Sequence, residues 1–233
     1  MRKLPVVFAF ALLLVNPCLS IASTPQPTKI SAFCRNELQK TSYDRISLLG
    51  NDLDSMISNG QVESSIAQIN KIIDVALTSK SKSLSEDLGR LLGDDFTWRQ
   101  NSYIERLIKV TPTAKRSLIL AMLDNISGRI QSLDAGYSST KIQAFVQLAI
   151  IYHNLGAKDK PSILLNQAVQ ISPGVRLTKK RANLLTKIAR TYIDIGQPAL
   201  AQKILAQSYQ VALQFDKETK DKNRDSHPSS FIA

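Results

Sequence analysis

The sequence predicts an all-α protein, an α-α superhelix of helical hairpins that follows a cleaved signal peptide. Three observations predict it. Apolar residues recur at spacings of three and four almost throughout, and no alternating β-branched run interrupts them. Gly and Pro fall in the breaks between periodic stretches. A constellation of Ala, Tyr and Gly returns after forty residues. The chain's 233 residues, 43% hydrophobic and 21% charged, suffice for a substantial core, and they exclude collagen-like, disulfide-rich and wholly disordered classes.

The chain opens with Arg2 and Lys3, then an uncharged apolar run from Leu4 to Val15, then Pro17 and the small residues Ser20, Ala22 and Ser23. This is the layout of a secretory signal peptide over residues 1–22, with cleavage after Ala22. A membrane-spanning helix needs about 20 apolar residues, so no stable membrane insertion is expected once the signal is removed. A lipoprotein signal ending at Cys18 is disfavoured, because Val15 and Pro17 stand where Leu and a small residue are usual. The protein is therefore expected to be exported, to the periplasm or outside the cell. Cys18 leaves with the signal, and Cys34 alone cannot form an internal disulfide; an inert thiol and an intermolecular bridge are the two readings.

Residues 23–31 form a Ser/Thr/Pro linker. Beyond it the spacing predicts helices over 32–40, 43–58, 62–79, 84–92, 95–110, 114–133, 139–155, 160–171, 179–195 and 198–215. Gly60, Gly136, Gly156 and Gly196 fall at helix ends, where left-handed backbone is often needed, and Pro112, Pro173 and Pro198 mark breaks. Residues 216–233 carry few apolar side chains and read as a disordered tail.

The repeat lies in residues 139–215. Phe145, Leu148, Ala149, Tyr152, Leu155 and Gly156 answer to Leu185, Ile188, Ala189, Tyr192, Ile195 and Gly196. In the following helices Leu164, Leu165, Ala168 and Ile171 answer to Ile204, Leu205, Ser208 and Val211. The order of bulky residue, Leu, small residue, Tyr and Gly resembles the tetratricopeptide repeat, in two copies of forty residues. Pro161 departs from the family's Ala, and six extra residues separate the units. The resemblance implies helix pairs stacked into a superhelix, with a peptide or protein held along the groove of successive first helices. Forty-residue variants of this repeat occur in exported proteins, which adds a thylakoid lumen as an alternative compartment. Residues 32–138 match the register weakly, around Gly60 through Leu49, Leu53, Met56 and Ile69, with Asp52 and Ser65 at odds with it. Degenerate repeats and an unrelated helical bundle both fit that region.

The groove implied by the resemblance would present Lys141, Gln147, His153, Asn154, Lys187, Arg190 and Asp194. Charge is uneven: residues 99–190 hold fifteen Lys/Arg against four Asp/Glu, a net of +11, whereas the segments on either side are nearly neutral. The densest cluster is Arg176, Lys179, Lys180 and Arg181. Such an excess attracts an acidic partner, although a solvated basic face is the plainer reading. Nucleic acid is disfavoured, since no interleaved aromatics or nucleic-acid motif accompany the charge.

Signals for catalysis are few. His153 and His227 have no Cys or His at ligand spacing, so neither a metal site nor a cofactor is expected. No phosphate loop or nucleophile elbow occurs. Asp94 and Asp95 are consecutive and point to different helix faces; Asp95 reads as an N-cap, and Trp98 as a core anchor. Glu105 is the one nominee for a general acid in an envelope glycosidase, and Arg106 and Lys109 beside it would hold it ionised. The expected function is a non-enzymatic scaffold for protein or peptide binding, the envelope enzyme being the alternative.

Overall fold

A computed structural model describes residues 42–78, 84–93 and 102–225. The expected signal peptide, linker and helix over 32–40, with Cys34, Asp94, Asp95, Trp98, His227 and the tail beyond residue 225, lie outside them. Nine α-helices are described: α1 Ser42–Ser58, α2 Val62–Thr78, α3 Leu84–Leu92, α4 Tyr103–Val110, α5 Arg116–Gln131, α6 Ser138–Asn154, α7 Lys160–Ile171, α8 Thr178–Asp194 and α9 Pro198–Asp225. Short 3-10 turns lead into α5 and α6 and follow α7. No strand occurs among the described residues.

Three antiparallel hairpins, α1–α2, α6–α7 and α8–α9, dominate the packing. They share one turn. The amides of Gly60, Gly156 and Gly196 donate to Ile57, His153 and Ile193, while those of Gln61, Ala157 and Gln197 donate to Met56, Tyr152 and Tyr192. This is the Schellman arrangement, and it needs a residue in left-handed backbone; the three glycines have φ of 67°, 79° and 78°. The weakly matching N-terminal register around Gly60 thus makes the same reversal. Gly136 differs. It lies inside the 3-10 turn Ala135–Tyr137 and does not take up the left-handed backbone expected of it.

Between the hairpins, the short α3 and α4 pack on each other and bridge α1 to α6, while α5 joins α2 to α6. Ser102 caps α4: its side chain accepts from the Glu105 amide at 3.1 Å, and the Glu105 carboxylate accepts from the Ser102 amide at 3.3 Å. This capping box satisfies amides that the helix start would otherwise leave unpaired. A continuous core runs through the stack, from Leu53, Ile69 and Ile73 through Leu107, Leu123 and Phe145 to Ile188 and Tyr192.

The forty-residue equivalence is visible in burial. Phe145 and Leu185, Leu148 and Ile188, Ala149 and Ala189, and Tyr152 and Tyr192 are all buried. It fails at one informative place. Leu165 on α7 is 0% exposed, and α8 packs on α7, whereas its counterpart Leu205 is 43% exposed on α9, which no later helix covers among the described residues.

Two expectations are corrected. Residues 216–225 are helix rather than disordered tail. Glu218 accepts hydrogen bonds from Gln214 at 2.9 Å and from Thr178 at 3.1 Å, so local pairing and a tether to α8 extend α9 where apolar residues run out. The repeat register also puts the small Ser208 against Ala189 at a close helix approach, but Ser208 sits against Ala182 and Thr186. It donates to the Ala182 carbonyl at 2.8 Å and shares a hydrogen bond with Thr186 at 2.9 Å. The reversal at Gly196 sets the antiparallel pairing, and Ala182 lies about 10 Å further down α8 than Ala189.

Candidate functional site

Helix α6 packs on α3 and on α8, and a narrow cleft opens between the three. Leu88, Gly89 and Leu92 form one wall, Ala144 and Val146 a second, and Leu184 a third. Periodicity explains the walls: Leu84, Leu88, Leu91 and Leu92 place the apolar face of α3 inward, and Gly89 between them keeps the wall low. Polar groups rim the opening. Ser85 donates to Gln143 Oε1 at 2.9 Å across α3 and α6, and Thr140, Gln147 and Lys187 complete the rim. The cleft measures about 110 Å³. Small-molecule sites usually occupy roughly 300–1,000 Å³, so this one suits a single side chain.

Of the residues expected along the groove, the structure brings Gln147 and Lys187 together at the cleft. His153, Asn154, Arg190 and Asp194 are exposed towards the far ends of α6 and α8, outside its lining. Lys141 donates to the Gln131 carbonyl of α5 at 2.9 Å, away from α8. The contribution of Ser85, Leu88 and Leu92 was not foreseen, because nothing in the spacing says that α3 packs on α6.

The basic cluster divides. Arg176 and Lys180 line a concavity beside Gly136, Ser138 and Ser139. Arg181 turns towards α9, where it donates to Gln214 Oε1 at 3.2 Å. Lys179 is exposed and lines neither surface. A helix separates consecutive side chains by about 100°, so Lys179, Lys180 and Arg181 cannot share one face, and Arg176 lies in the loop before the helix.

A polar cluster ties α5, α6 and α7 together. Asp124 Oδ1 accepts from the Tyr152 hydroxyl at 2.6 Å and from Lys160 at 2.7 Å, and the Lys160 ammonium lies 5.9 Å from the centre of the Tyr152 ring. The Lys160 bond, then the Tyr152 bond, holds the Asp124 carboxyl below its usual range. Burial, then Asp124, pushes the Tyr152 phenol well above its ordinary value. In the next unit Tyr192 donates to Asn166 Oδ1 at 2.8 Å, and burial raises its phenol as well.

Glu105 serves as a cap. Its carboxylate is spent on the Ser102 amide, and Arg106, expected to hold it ionised, pairs instead with Asp54 on α1. Among the described residues no three His, Cys, Asp or Glu side chains are grouped to hold a metal ion, and no helix is long and apolar enough to cross a membrane. No family model, curated protein or solved structure matches this chain significantly.

Proposed function

We propose that the chain is an exported, non-enzymatic scaffold of the tetratricopeptide-repeat type that binds an extended segment of an acidic protein partner. The observation that carries this reading is the cleft between α3, α6 and α8, with leucine walls and a rim of Gln143, Gln147 and Lys187. Its size accommodates one apolar side chain of a bound segment, and its amides and ammonium suit the backbone and acidic groups beside that side chain. The segment's remaining length would run over α6 and α8, past Arg190 and His153. The excess of +11 in residues 99–190 favours an acidic partner by accelerating encounter.

The test is capture from an envelope extract with two baits, the wild-type chain and a Gln147→Glu/Lys187→Glu variant. A protein retained by the wild type, released by salt and lost from the variant supports the reading. Equal retention by both baits contradicts it.

A further inference from the structure

We infer that the concavity between the start of α6 and the loop entering α8 is a binding site for an oxyanion, a phosphate, sulfate or phosphoryl group. The site lies apart from the α3–α6–α8 cleft, shares no lining residue with it, and stands whether or not that cleft holds a peptide.

Two exposed cations line it from one short stretch of chain. Arg176 sits in the loop before α8 and Lys180 in the first turn of that helix, and both line the concavity. Neither forms an ion pair or a side-chain hydrogen bond among the described residues. Several other cations of the chain are satisfied: Arg106, Lys115, Arg129 and Lys160 each pair with a carboxylate. Asp134, the carboxylate nearest in sequence, is not part of the lining.

The opposite wall is built of small residues, and Val175 and Leu177 complete the lining beside Arg176. That wall consists of Ala135, Gly136, Ser138 and Ser139, where the chain turns from a 3-10 turn into α6. Ser139 brings a hydroxyl, and this end of α6 carries the positive pole of the helix dipole. The floor is held closely: a Cβ on Gly174 would lie 2.7 Å from Ser138 Oγ, so glycine is what lets the loop carrying Arg176 approach α6. The open concavity measures about 460 Å³, ample for a phosphoryl group with several waters. A planar guanidinium grips two oxygens of such a group while an ammonium adds a point charge.

The probes are inorganic phosphate and sulfate, titrated into the full chain at constant ionic strength with chloride as the reference salt. Amide shifts of Gly136, Ser139 and Gly174 report the site. Saturable shifts at these amides, weakened about tenfold or more in Arg176→Gln/Lys180→Gln, support the inference. They should persist in Lys179→Gln/Lys217→Gln, which removes the same charge elsewhere. A second arm uses phosphatidylcholine vesicles with and without phosphatidylglycerol. Vesicle binding that phosphate displaces assigns the site to a lipid headgroup, and saturable phosphate binding without vesicle binding assigns it to a free anion. Equal weakening in both double variants, or no saturable shift with either probe, overturns the inference.

Discussion

Tyr152 donates a 2.6 Å hydrogen bond to Asp124, a residue of the hairpin's neighbour α5 rather than of the hairpin itself. Tyr192 repeats the move one unit later, reaching Asn166 on α7 at 2.8 Å. In the two late hairpins the tyrosine of the first helix thus fastens its unit to the helix before it, and α5 takes the place that α7 takes in the next unit. The bonds differ in one respect. Asp124 is charged and shared with Lys160, whereas Asn166 is neutral.

Removing the hydroxyls should reveal that difference. Tyr152→Phe is expected to cost about 1–2 kcal/mol and Tyr192→Phe about 0.5–1, since bonds to charged groups are the stronger, and half-exposure of Asp124 trims the first figure. Denaturant unfolding of both variants checks the order.

The same groups set a dependence on pH. The Asp124 carboxyl is lower when folded, so its stabilisation is complete above 3.8 and is lost as pH falls through the lower folded value. Asp124→Asn should flatten the acid limb of the stability curve. Tyr152 is raised when folded, so its contribution holds below 10.0 and is lost as pH rises beyond it. Unfolding midpoints measured on either side of that value should converge in Tyr152→Phe relative to the wild type.

The three shared turns predict equal costs. A Cβ on Gly60, Gly156 or Gly196 meets nothing within 4 Å, so alanine there is opposed only by left-handed backbone, about 1–2 kcal/mol. Gly136→Ala, in a 3-10 turn, should cost nothing measurable. Melting curves of the four variants decide whether the N-terminal hairpin turns as the later ones do.

Leu165 and Leu205 test where the stack ends. Leu165→Ala removes a fully buried side chain and should cost about 2–5 kcal/mol, whereas Leu205→Ala should stay below about 1. Similar losses would mean that something covers α9 in the protein as purified.

Much of this architecture was legible in the sequence. Helices α3 and α7 have the expected bounds, because Leu84–Leu92 and Lys160–Ile171 are amphipathic and sharply framed. The repeat was legible because each turn demands a glycine and each close approach a small residue. The last turns of α9 were not, since they depend on Glu218 reaching Thr178, forty residues away. Nor was the cleft. Periodicity shows which face of α3 is apolar, but not that α6 and α8 stand against it, so Gln147 and Lys187 could be named without Ser85 or Leu88. The division of the basic cluster between the concavity at α6 and the face of α9 was not legible either, because adjacency in sequence does not fix adjacency in space.

The central claim is that an acidic segment binds in the α3–α6–α8 cleft. Its most direct measurement is the titration of acidic peptides, each carrying one bulky apolar residue, into the isotope-labelled full chain. The account predicts saturable shifts confined to Ser85, Gln143, Gln147, Leu184 and Lys187, lost in Gln147→Glu/Lys187→Glu. Saturable shifts that leave these five residues unmoved, or binding unchanged in the variant, would contradict it.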